Sequence, residues 1–124
     1  SYSTDRGESW SEAKPWGVKS PESPATLRRI PSTGDLLLVW NPTVDAKAGH
    51  GGRRTPLVAA VSRDEGTTWG EPQVLEESAK HEFAYTSVAF QEGNVLLSYY
   101  VAENSTGRIS TRFRSLPVGW FYGE

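Results

Sequence analysis

SRDEGTTW, Ser62 to Trp69, repeats in outline a segment near the start of the chain, STDRGESW, Ser3 to Trp10. Both obey Ser-x-Asp-x-Gly-x-Ser/Thr-Trp, and they begin 59 residues apart. An aspartate side chain bonds to backbone two residues on, and glycine supplies a positive φ without steric cost, so Asp64 and Gly66 mark a tight turn. Pro56 to Ser62 before it is apolar and β-prone, and Gln73 to Leu75 resumes the pattern after it. The octad therefore reads as a hairpin turn between two strands. Trp69 is a large apolar group able to fold back over that turn, and Trp10 has the same place beside Asp5 and Gly7.

Working outward, further hairpins follow. Ala25 to Ile30 and Asp35 to Trp40 pair across Pro31 to Gly34; Tyr85 to Phe90 and Val95 to Tyr100 pair across Gln91 to Asn94. Gly107 to Arg114 alternates, with Ile109, Thr111 and Phe113 on one face and the arginines on the other. A last strand is expected over Val118 to Tyr122. No window holds a helical period, because proline and glycine interrupt each one. The chain is predicted to be all-β. Each repeat interval holds about four short strands, and four-stranded antiparallel units at this spacing are propeller blades. The expected architecture is a partial β-propeller: one domain over 1–124, with the end of a blade in 1–20 and four-stranded blades in 21–78 and 79–124.

Composition narrows the function classes. The chain has 124 residues, 36% hydrophobic and 23% charged, which suits a globular domain with a core. The net charge of −2 and the lack of a basic stripe give no footprint for nucleic acid. No run of 18 apolar residues offers a helical membrane span. Cysteine is absent, so disulfides and thiol chemistry are excluded. His50 and His81 are isolated and lack ligand spacing, so no metal site is expected, nor any cofactor. Gly49 to Arg54 lacks the Gly-Lys-Ser/Thr ending of a phosphate loop and reads as a flexible loop delivering Arg54. The oligomeric state stays open. The chain begins inside a repeat and without methionine, as a piece of a longer protein would.

The two octads resemble the Asp-box of sialidases (neuraminidases) and their relatives with bacterial neuraminidase repeats. LLLVWNP (36–42), RRTPLVAAVSRDEGTTW (53–69) and AYTSVAFQEGNVLLSYY (84–100) are similar in order and spacing to the late blades of that family. The ending SLPVGWFYGE resembles its closing strand. The resemblance covers almost the whole chain and about the last third of a six-bladed propeller. It implies that the parent is an exo-acting, retaining glycoside hydrolase that removes terminal sialic acids, secreted or periplasmic, with a sialylated or related glycan as partner. The isolated chain is expected to be inactive and poorly soluble.

Two functional positions carry over from the resemblance. Arg54, eight residues before Ser62, matches the last arginine of the triad that grips the substrate carboxylate, with Arg53 as the alternative one register away. Tyr85 matches the catalytic tyrosine nucleophile. On residue type alone, Tyr85 would be a packing side chain and Arg54 a solvated loop charge. The chemistry suits both residues. Sialic acid carries a carboxylate on the carbon under attack, which repels an anionic nucleophile but not a neutral phenol. An arginine fork holds a carboxylate by two parallel bonds and stays charged. The family's other two arginines, its aspartate acid/base and the glutamate that pairs with the tyrosine precede the late blades. Glu82, three residues from Tyr85, would face the other way on a strand. Where many sialidases close the following strand with glutamate, this chain has Tyr99-Tyr100, which implies altered substrate choice or a non-catalytic relative. The alternatives are therefore a glycan- or protein-binding propeller without activity, and an Asp-box hydrolase of plant or microbial polysaccharide.

Overall fold

A computed structural model describes all residues 1–124. The chain is all-β, with two antiparallel sheets stacked as successive blades of a partial propeller. The first sheet runs β1 (Thr26–Arg29), β2 (Leu36–Trp40), β3 (Leu57–Ser62), β4 (Gln73–Glu76) in sequence order. The second runs β5 (His81–Gln91), β6 (Asn94–Glu103), β7 (Ile109–Pro117).

The apolar pattern of each strand follows from what covers it. β2 and β3 lie between two packed layers, so LLLVW and LVAAVS are nearly continuous apolar runs. Leu37, Val39, Ala59 and Val61 face the second sheet and join Phe83, Val88, Val95, Leu97 and Tyr99 in the main core. Leu38, Trp40, Val58 and Ala60 face the other way, under Val18 and Trp69. β6 buries one face only and alternates strictly. Burying each Leu or Val side chain contributes about 1.5–3 kcal/mol.

Two expectations are corrected. Val118–Tyr122 is a short 3-10 helix, not a strand, so the second sheet has three strands. Pro117 ends β7 without an N–H to donate, and Gly123, at φ 82°, closes the turn. The turn lets Phe121 enter the core while Tyr122 reaches Asp35 and Thr33, which alternation along a strand would send in opposite directions. Second, Trp69 does not fold over its own turn. It packs down on the sheet and meets Trp16 edge-on at 5.2 Å, and it is Trp16 that donates to the Gly66 carbonyl, at 2.9 Å. The sheet face beneath the second octad offers Trp69 more apolar surface than the turn does. The loop from Asn41 to Arg54 is hydrogen-bonded along its course, with Asp45 donating to Gly51, Glu22 to His50 and Thr43 to Thr55. Gly52, at φ 147°, passes so close to the Thr43 carbonyl that a Cβ would collide with it.

On β7 the face carrying Ile109 and Phe113 is the exposed one. Arg112 and Arg114 lie on the face directed at the first sheet, because Arg112 is in register with the buried Tyr99. Arg112 pairs with Glu76 at 2.8 Å, and the Tyr99 hydroxyl donates to the same carboxylate at 2.5 Å. This cluster ties β4 to β6 and β7. Burial first, then the bond to Glu76, push the Tyr99 phenol far above its ordinary pKa, so it stays a neutral donor.

Candidate functional site

The site begins with a bulge. Ala84 pairs with Tyr100 and Ser87 with Ser98, so two residues of β5, Tyr85 and Thr86, oppose one residue of β6. Tyr85 takes φ 54°, a left-handed conformation that costs a bulky residue about 1–3 kcal/mol. The surroundings hold it there. Thr86 is bound at the hydroxyl and the carbonyl by Thr26 of β1, at 2.6 and 2.8 Å. Thr86 therefore points into the sheet-sheet seam, and Tyr85 is turned out of it, 60% exposed.

Arg54 meets Tyr85 from the loop that leads into β3. Its Cζ lies 5.3 Å from the centre of the Tyr85 ring, within cation–π range. Its Nη1 donates to the Tyr100 hydroxyl at 3.0 Å and its Nη2 to the Glu22 carbonyl at 3.2 Å. The Tyr85 and Tyr100 rings are 5.3 Å apart, tilted by 38°. The structure thus brings Arg54 and Tyr85 together with a third residue, Tyr100.

The backbone beneath is fastened by one buried side chain. Asn41, 1% exposed, donates to the carbonyls of Pro56 at 2.9 Å and Phe83 at 3.1 Å, and accepts from Ser23 at 2.6 Å. Pro56 is two residues from Arg54 and Phe83 is two residues from Tyr85. The Phe83 N–H also donates to the Arg54 carbonyl, at 2.8 Å. The distance between guanidinium and phenol is therefore set by hydrogen bonds between the blades.

Two arginines are partly buried, and of these Arg114 has Glu76 at 3.9 Å whereas Arg54 has no carboxylate. Arg29 pairs with Glu65 at 2.7 Å, Arg53 with Glu82 at 3.7 Å and Arg112 with Glu76 at 2.8 Å. Half-buried Arg54 has no carboxylate partner. Its hydrogen bond to Tyr100 raises its pKa further against the opposing effect of burial, so the cation persists. Two of its five N–H groups are engaged, by Tyr100 and by the Glu22 carbonyl. Arg53 turns to Glu82 and to the Ala79 carbonyl instead, away from Tyr85. Glu82 makes no hydrogen bond to Tyr85. The site is an open surface; a hollow of about 840 Å³ lies elsewhere, between β1 and residues 1–16.

Sequence reasoning noted Tyr100 only as part of Tyr99-Tyr100, a departure from the family's glutamate, and gave Asn41 no role. A polar residue closing an apolar run, as Asn41 does after LLLVW, was the available signal for the second. The bulge carries no glycine or other marker.

A family model described as a BNR repeat-like domain matches residues 1–97. No curated protein sequence matches the chain. Among solved structures, the chain is similar to an ulvan lyase, from a new family of polysaccharide lyases, bound to -[GlcA(1-4)Rha3S]-. The TM-score is 0.56 at 17% identity, over 77% of this chain and 24% of that one. The chain thus spans about a quarter of that protein's length, and at this identity the likeness is one of fold.

Proposed function

The chain belongs to the family of BNR repeat-like domains, and on that premise we propose that it forms late blades of a propeller acting on acidic glycans. The concrete reading is an exo-sialidase-like glycoside hydrolase, with the end of one blade in 1–20 and further blades in 21–78 and 79–124. Arg54 grips the sugar carboxylate. The Tyr85 hydroxyl attacks the anomeric carbon, gives up its proton to a base on an earlier blade and displaces the aglycone oxygen, which takes a proton from a general acid. Water then releases the sugar from Tyr85. The remaining arginines, the base and the acid belong to blades outside this chain, which accounts for the open surface here.

The observation that carries this reading is the half-buried Arg54, without a carboxylate partner and stacked on an exposed tyrosine that a bulge has turned outward. A second reading rests on Tyr100 and on the likeness to an ulvan lyase. The neighbour of Tyr85 is a phenol and not a carboxylate, and a tyrosine that has first given its own proton to water, beside an arginine-neutralised uronate, can instead take the proton from the carbon next to the carboxylate and pass it to the glycosidic oxygen as the carbon–oxygen bond breaks and the double bond forms. Both readings place a sugar carboxylate on Arg54. A fluorogenic sialic acid glycoside and a uronate polysaccharide, offered to the protein carrying the complete propeller, separate them by product. Sialoside turnover that falls about a hundredfold or more in Tyr85→Phe supports the hydrolase. An unsaturated uronate product supports the lyase. Turnover of neither by a folded protein, with binding retained, moves the reading to a non-catalytic glycan-binding propeller.

A further inference from the structure

Tyr99 and Tyr100 are adjacent in sequence and opposite in role. Tyr99 is 1% exposed and spends its proton on Glu76. Tyr100 lies on the other face of β6 and uses its oxygen as an acceptor for the Arg54 Nη1, at 3.0 Å. A phenol that accepts this bond keeps its own proton to donate. No other hydrogen bond of the Tyr100 side chain exists in the fold, so that proton is uncommitted. It sits on the oxygen that Arg54 Nη1 holds, at the guanidinium itself. The Tyr100 ring also flanks the Tyr85 ring, so it borders the space in which a ligand held by Arg54 must lie.

We propose that Tyr100 is the second arm of the carboxylate site: its oxygen aligns the Arg54 fork, and its O–H donates to the same ligand carboxylate. This rests on the reading of Arg54 given above and adds a residue to it. A carboxylate offers about four lone-pair positions, which one arginine edge and one phenol fill better than an arginine alone. The ligand class is a sugar acid whose carboxylate is free. An esterified sugar of the same shape loses both the charge and the acceptor geometry.

Calorimetric titration of the protein carrying the complete propeller tests this with four probes: N-acetylneuraminic acid, glucuronic acid and the methyl ester of each. The wild type is expected to bind one acid more tightly than its ester. Tyr100→Phe keeps the ring and is expected to weaken that acid about tenfold while leaving the ester unchanged. Tyr99→Phe is expected to lower the melting temperature and leave the acid-over-ester preference intact. Equal acid binding by wild type and Tyr100→Phe overturns the inference and spares Arg54. Equal weakening of acid and ester overturns it too, since that is a packing effect. A wild type that prefers neither acid over its ester removes the carboxylate reading of Arg54 and this inference with it.

Discussion

The two octads have the same bonds and different surroundings. In the first, Gly7 N–H and Asp5 N–H donate to the Ser3 hydroxyl, at 2.7 and 3.4 Å, and Ser9 donates to both oxygens of Asp5. In the second, Gly66 and Asp64 donate to Ser62, at 2.8 and 3.4 Å, and Thr68 donates to both oxygens of Asp64. The left-handed pairs Arg6-Gly7 and Glu65-Gly66 agree as well. Each turn is closed by one backbone bond of 2.9 Å, Ser11 to Tyr2 and Gly70 to Val61. Yet the second octad joins β3 to β4, whereas no strand flanks the first. The turn is thus a local object, specified by its own side chains, and it keeps its form with or without a sheet. The tryptophan is different. Trp10 donates to its own Gly7 at 3.1 Å, while Trp69 leaves that place to Trp16 and joins the sheet.

This contrast makes the tryptophans the largest expected difference. Trp69→Ala removes part of a core cluster and is expected to cost about 2–3 kcal/mol in chemical denaturation, below the full cost of a buried indole because the Trp69 N–H finds no partner in the fold. Trp10→Ala, at a position 65% exposed, is expected to stay within about 0.5 kcal/mol. Equal costs would mean that the first octad is packed as deeply as the second.

The serines come next. Ser62 is 1% exposed and holds the Gly66 N–H, so Ser62→Ala leaves a buried donor unpaired, at about 1–3 kcal/mol. Ser3→Ala frees a donor that water reaches, and its effect is expected to be smaller. The reverse order, measured on the same protein, would break the claim that burial and not the bonding pattern sets the cost.

The smallest difference is expected between the aspartates. Bonds from Ser9 hold the Asp5 carboxyl down at about 2, and bonds from Thr68 lower Asp64 in the same way. Unfolded aspartate titrates at about 3.9. With the folded value below the unfolded one, the stability each contributes is complete above the unfolded pKa. It is lost as pH falls through the folded one, which for Asp5 is a window from about 4 down to about 2. Carboxyl carbon NMR is expected to show Asp5 titrating well below ordinary aspartate and Asp64 shifted in the same direction. An ordinary midpoint for Asp5 alone would show that the first turn does not close in solution.

What could be read from the sequence follows the same division. Hairpins and turns are fixed by residues within a few positions of one another, so the octads and the strand pairs around Gly34 and Gly93 were legible. The pairing of Trp16 with Gly66 spans 50 residues and leaves no local trace. Val118 to Tyr122 looked like a strand because its apolar run outweighed Pro117 and Gly123, which together favour a turn. At the candidate site, Arg54 and Tyr85 were singled out through the resemblance to the late blades of sialidases, Arg54 by its place eight residues before the second octad. The bulge that turns Tyr85 outward depends on Thr86 meeting Thr26, 60 positions away. Strand parity counted from Glu82 could not anticipate it.

The central claim, that Tyr85 is a nucleophile presented to a sugar acid held by Arg54, has a direct test. The protein carrying the complete propeller would be incubated with a fluorinated, activated sialic acid that forms a slow-hydrolysing glycosyl-enzyme, then digested and sequenced by mass spectrometry. The expected result is one sugar adduct on Tyr85, absent in Arg54→Ala. An adduct on another residue, or sialoside turnover by the same preparation without any adduct on Tyr85, would contradict it.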